Sequence, residues 1–72
     1  MKKVKKIKIR INGKNKNISK EYMLNELISE LKIPLNKVAI EMNKEIVDKK
    51  KIKKIKLNSG DKIEIVHFIG GG

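Results

Sequence analysis

The sequence predicts an α+β domain, a mixed four- to five-stranded sheet covered by one helix. Three observations point there. Stretches of alternating apolar and polar residues occur near both ends of the chain and in its middle. Two of them double back through Asn-led turns, at Asn12-Gly13 and at Asn43-Lys44. Between them lies one segment with helical spacing, followed by Pro34.

The first strand covers Val4 to Ile11, with Ile7, Ile9 and Ile11 on one face and Lys6, Lys8 and Arg10 on the other. Asn12-Gly13 then favours a two-residue type I′ turn, because both residues tolerate positive φ. That turn pairs Ile11 with Lys14, Ile9 with Lys16 and Ile7 with Ile18. The returning strand is weak on its core face, where lysine stems are expected to lie over the sheet edge.

Ser19 reads as a helix N-cap with Glu21 in the first turn. Leu24, Leu27, Ile28 and Leu31 follow at i, i+3, i+4 and i+7, the stripe of an amphipathic helix of about three turns. Pro34 stops it near Lys32. In the next hairpin Val38, Ile40 and Met42 share a face. A two-residue turn at Asn43-Lys44 pairs Ile40 with Val47 and Glu41 with Ile46. Lys44 stands where glycine is cheaper, so the turn is either longer or strained by ~1 kcal/mol.

Asp48 to Lys56 is lysine-rich, with Ile52 and Ile55 at the spacing of a helical or 3₁₀ turn anchored at two points. Asn58-Ser59-Gly60-Asp61 is a turn by composition and feeds the final strand, Lys62 to Phe68. The first and last strands are the most apolar. They are expected side by side and parallel at the sheet centre, since the intervening chain supplies the crossover.

The composition narrows the function. A chain of 72 residues is one small domain near the lower limit for independent folding. It has no cysteine, hence no disulfide, thiolate zinc site or thiol nucleophile. The longest apolar run is Val38-Ala39-Ile40, so no membrane contact is expected and the expected location is cytoplasmic. The formal charge of +11 suggests phosphate binding. Against it, all the basic residues but Arg10 are lysines, and only Tyr22 and Phe68 are aromatic. A solvated lysine surface is the plainer account, so no nucleic-acid partner is expected. A small basic nucleic-acid-binding domain remains the alternative from another class.

The sequence closes on Gly70-Gly71-Gly72, directly after the last strand. A glycine stalk threads channels that side chains would block. Ile69 to Gly72 reach roughly 13 Å at ~3.3 Å per residue. The expectation is a domain over 1–69 and a flexible tail over 70–72 that carries an α-carboxylate into another protein's active site. Nothing else forms a catalytic constellation. His67, the single histidine, has no nucleophile beside it by any motif, and the acidic residues lack metal-ligand spacing. No metal and no bound cofactor are expected.

The order of elements resembles the β-grasp fold of ubiquitin-like proteins. Two segments closely resemble the ThiS family, the sulfur carriers of thiamine thiazole synthesis: Val38-Ala39-Ile40-Glu41-Met42-Asn43-Lys44-Glu45-Ile46-Val47, and Gly60-Asp61-Lys62-Ile63-Glu64-Ile65-Val66-His67-Phe68-Ile69-Gly70-Gly71-Gly72. The likeness is weaker over the rest of the chain. Family members usually have Asn-Gly at Asn43-Lys44, and often Pro, Arg and an aromatic where this chain reads Asp48-Lys49-Lys50-Lys51-Ile52. The related MoaD family, from molybdopterin synthase, shares the terminal Gly-Gly but usually lacks the His-Phe-x-Gly-Gly-Gly ending.

The resemblance implies a protein cosubstrate, not an enzyme. An E1-like, ThiF-like adenylyltransferase adenylates the Gly72 carboxylate with ATP and Mg. Sulfur from a persulfide protein displaces AMP to leave a thiocarboxylate, which a ThiG-like thiazole synthase consumes. A molybdopterin-synthase small subunit or a ubiquitin-like protein modifier is the alternative within the fold. The chain alone is expected to be monomeric. If Ile63 and Ile65 face the helix, then Val66 and Phe68 face away, together with Ala39 and Ile46. With Ile69, the residues Ile46, Val66 and Phe68 form the expected docking patch beside the tail.

Overall fold

The computed structural model describes residues 5–68. The tail glycines 70–72, Ile69 of the docking patch and Val4 of the first strand lie outside the described residues. The chain forms β1 (Lys6–Ile11), β2 (Lys14–Ser19), α1 (Leu24–Glu30), β3 (Val38–Met42), β4 (Glu45–Ile46) and β5 (Lys62–His67), with 3₁₀ turns at Leu35–Lys37 and Lys49–Lys54. The strands make one mixed sheet in the order β2-β1-β5-β3-β4. β1 and β5 are parallel neighbours at its centre, as their apolar character requires.

Turn chemistry sets both hairpins. Asn12 (φ 49°) and Gly13 (φ 83°) take the left-handed pair of a type I′ turn. The resulting register places Ile7 opposite Ile18, Ile9 opposite Lys16 and Ile11 opposite Lys14. The second hairpin is also a two-residue turn, with Glu41 opposite Ile46. Its central residues, Asn43 (φ 54°) and Lys44 (φ 70°), are both left-handed. Of the two options at Lys44, the structure therefore realises the strained one.

The core lies between one sheet face and α1. Ile9, Ile18, Val38, Ile40 and Ile63 from the sheet meet Leu24, Leu27 and Ile28 from the helix, with Ile52 and Leu57 closing one side. Lys16, opposite Ile9 on this face, runs its stem over the edge and pairs with Glu30 at 2.9 Å. Ile65 is only half-buried. β1 ends at Ile11, so β5 lacks a strand neighbour on that side beyond Ile63. There the Asn12 side chain stands in, its Oδ1 accepting from the Ile65 N–H at 2.8 Å.

The helix differs from the sequence expectation at both ends. Ser19 is not its N-cap, because strand pairing continues to the Lys6–Ser19 pair. The chain then turns, with the Tyr22 N–H donating to the Ser19 carbonyl, and Met23 bridges to Lys56. Met23 is the N-cap residue, and Glu26 rather than Glu21 lies in the first turn. The Glu26 carboxylate accepts from the Met23 N–H at 3.1 Å, so the cap is built from inside the helix. At the other end Lys32 is left-handed (φ 55°). Its N–H reaches the Ser29 carbonyl, and the Ile33 N–H reaches the Ile28 carbonyl. This Schellman arrangement, with lysine in the usual glycine position, stops the helix before Pro34 acts. Leu31 consequently sits at the C-cap and is exposed, not part of the stripe.

Candidate functional site

The face of the sheet away from α1 carries the candidate site. Alternation along β5 buries Ile63 and turns Glu64 and Val66 outward. Cross-strand pairing sets Val66 beside Ala39 and Glu64 beside Glu41, and Glu41 in turn beside Ile46 on β4. Phe68 lies two residues beyond Val66, and its N–H donates to the Lys37 carbonyl at 2.9 Å, carrying the ladder past the end of the strand. Val66, Phe68 and Ile46 are 52, 57 and 69% exposed, a degree unusual for large apolar side chains. The structure thus leaves Ile46, Val66 and Phe68 exposed, with Ile46 on β4 separated from β5 by β3 and level with Glu64. Val66 and Phe68 lie at the C-terminal end of β5.

The patch has a charged border that the sequence did not disclose. Lys49 places its Nζ 5.4 Å from the centre of the Phe68 ring, an exposed cation–π contact worth about 0.5–1 kcal/mol. Glu41 and Glu64 face each other across β3 and β5, a like-charged pair on the same surface. His67 is exposed on β5, opposite Val38. Among the described residues no group of His, Cys, Asp and Glu is placed to hold a metal ion, and no helix is long and apolar enough to cross a membrane.

Behind the patch, the β3–β4 hairpin is tied to the turn before β5. The Asp61 carboxylate is buried and accepts from the Asn58 N–H at 2.8 Å and from Asn43 Nδ2 at 3.0 Å. Asn43 Oδ1 accepts from the Lys62 N–H at 3.0 Å. These bonds fix the β3–β4 turn against the entry of β5. Sequence reading took Asn43 and Asp61 as turn residues only. Their occurrence in two separate turns gave no sign that they meet.

A second cluster lies on the helix side. The Tyr22 hydroxyl donates a short hydrogen bond to Glu30, which also pairs with Lys16. The negative partner pushes the Tyr22 pKa up to about 12, chiefly through that hydrogen bond. Glu30 is held below its ordinary value, first by the Tyr22 hydrogen bond and then by the Lys16 one. The cluster joins α1 to β2 and is remote from the patch in the strand order.

A five-stranded mixed sheet wrapped on one helix, with an apolar outer patch beside its C-terminal strand, defines a ubiquitin-like β-grasp domain. The comparisons with known proteins narrow it. The ThiS family model matches residues 9–72, and the chain belongs to that family. The sulfur carrier protein ThiS of Bacillus subtilis is 35% identical over 65 residues, covering 89% of this chain and 98% of that protein. A crystal structure of the thiamine biosynthesis protein ThiS from Geobacter metallireducens superposes with a TM-score of 0.80 at 28% identity, covering 92% of this chain and all of that one. The thiazole synthase of Paramagnetospirillum magneticum is 46% identical over 66 residues, which are 92% of this chain. The chain spans 20% of the length of that synthase.

Proposed function

We propose that this chain is a sulfur carrier of thiamine biosynthesis, a cosubstrate handed between enzymes and not a catalyst. The observation that carries the reading is a juxtaposition. The exposed Val66 and Phe68, with Ile46 exposed on β4, stand on the strand that the sequence continues into Gly70-Gly71-Gly72. The family match and the sulfur carrier of Bacillus subtilis support it.

A carboxylate is ionised at neutral pH and is a poor electrophile, so it needs activation. In this reading a ThiF-like adenylyltransferase docks on the patch and takes up the tail. A Gly72 carboxylate oxygen attacks the α-phosphorus of Mg-ATP, and pyrophosphate leaves. The terminal sulfur of a persulfide protein then attacks the acyl carbon, and AMP leaves. A thiol opens the disulfide so formed and frees the Gly72 thiocarboxylate. The similarity to a thiazole synthase favours an enzyme of that kind as the acceptor. The domain's own part is physical. It presents the apolar surface that the partner reads and gives the tail its reach, with glycines that pass a narrow channel.

Deleting Gly72 tests the reading. The carboxylate retreats by ~3.3 Å, and a misplacement of ~1 Å already costs ~10²-fold. ATP–pyrophosphate exchange by the cognate enzyme is therefore expected to be almost abolished, with docking affinity kept. Exchange at the wild-type rate would remove Gly72 from the chemistry. Gly71→Ala is expected to impair exchange as well, by adding a Cβ inside the channel.

A further inference from the structure

We infer that the lysine-rich 3₁₀ segment Lys49–Lys54 is a basic rim of the docking patch, which steers it onto a partner protein whose apolar pocket is bordered by acidic side chains. The inference rests on the sulfur-carrier reading and adds to it the surface chemistry of the adenylating partner.

Between residues 48 and 56 the chain has six lysines and one acidic residue, Asp48. Ile52 is buried and Ile55 half-buried, so the segment is planted against the core by its isoleucines. That leaves Lys50, Lys51, Lys53 and Lys54 exposed. One contact and one shared groove join the segment to the patch. Lys49 lies over the Phe68 ring. Lys51 and Ile46 line the same groove, of about 360 Å³, whose acidic members are Glu45 and Asp48. The ion pairs among the described residues are Lys16–Glu30 and Lys56–Glu21. Thus no described carboxylate lies within 4 Å of Lys49, Lys50, Lys51, Lys53 or Lys54, although the chain has eight acidic residues. Unneutralised like charges repel in the free protein, and an acidic partner surface relieves that repulsion on approach.

The surroundings favour a protein over a nucleic acid. The rim borders exposed apolar side chains, which phosphates cannot use. Base stacking needs free aromatic faces. The two aromatic residues are Tyr22, partly buried against the core, and Phe68, with Lys49 over its ring.

The test measures association of the full chain with its adenylating enzyme at low and at high salt. One triple variant is Lys50→Glu, Lys51→Glu and Lys53→Glu. A second places the same charge change on the first hairpin, across the sheet, at Lys6, Lys8 and Lys14. The rim triple is expected to associate about tenfold or more slowly at low salt, since steering raises on-rates by roughly 10–10³-fold. Its deficit should shrink at high salt, and the hairpin triple should lose much less. Substituting glutamine at the same three rim positions should give an intermediate loss, and unchanged melting shows that the variants fold. Equal slowing by both triples, or none, overturns the rim. So does a rim triple that loses only its affinity for a single-stranded RNA oligonucleotide. If wild-type protein does not bind the enzyme at all, the sulfur-carrier reading fails and the rim with it. Binding that ignores the rim triple sinks the rim alone.

Discussion

Asn43 and Asp61 lie in two different turns at the same end of the β3–β5 pair, one after β3 and one before β5, and their side chains are bonded at 3.0 Å. One amide and one carboxylate thereby join the β3–β4 hairpin to the entry of β5. Asp61→Ala leaves the Asn58 N–H and Asn43 Nδ2 without that acceptor. The expected cost is about 1–3 kcal/mol, read by urea unfolding. Asn43→Ala should cost less when Asp61 is already gone. Strictly additive losses would mean that the two side chains do not act as a unit.

Lys32 and Lys44 hold left-handed conformations, with φ of 55° and 70°. A Cβ makes that region costly, and glycine relieves it at the expense of unfolded-state entropy. Lys32→Gly and Lys44→Gly should each stabilise the domain by about 0.5–1 kcal/mol. In a domain of this size that raises Tm by about 2–8 °C. A lower Tm for either variant, by calorimetry, would contradict the account of that turn.

The Tyr22–Glu30 pair predicts two pH limits. Glu30 titrates lower in the folded chain than its ordinary value of 4.5. Its contribution is therefore present above the unfolded value and lost as pH falls through the folded one. Tyr22 is raised from 10.0 to about 12. Its contribution is present below 10.0 and lost as pH rises toward about 12. The stability difference between wild type and Tyr22→Phe should be level from pH 6 to 9 and close in strong alkali. The difference for Glu30→Gln should close in acid. Both groups are solvent-exposed, so the amplitudes are small. A Tyr22→Phe difference that grows above pH 10 would reverse the assignment.

Phe68 should be a docking residue whose removal spares the fold. It is 57% exposed, so Phe68→Ala should melt close to wild type. It should bind the adenylating enzyme about tenfold or more weakly, the scale of an aromatic anchor. Calorimetric affinity equal to wild type would take Phe68 out of the interface.

The parts that sequence disclosed are those in which local chemistry and long-range packing agree. Asn12-Gly13 demands a tight turn, and the isoleucine alternation on either side accepts the register that the turn imposes. The exposed Val66 and Phe68 followed from the same period of two. Long-range partners were hidden. Leu57 is fully buried, yet it stands alone between Lys56 and Asn58 and has no period to betray it. Its place comes from the Met23–Lys56 bridge, which also delays the helix past Ser19. Lys49 over Phe68 and Asn12 against Ile65 are likewise contacts between distant segments. In the candidate site, the exposure of Ile46, Val66 and Phe68 was legible and the neighbouring lysines were not, because position along the chain does not tell which surface a 3₁₀ turn adjoins.

The intact mass of the chain tests the central claim most directly. After incubation with its adenylating enzyme, Mg-ATP and a persulfide donor, the protein should gain the mass of one sulfur in place of one oxygen, and fragmentation should locate the change on Gly72. An unchanged mass with an enzyme proven active, or sulfur found anywhere but Gly72, would contradict the sulfur-carrier account.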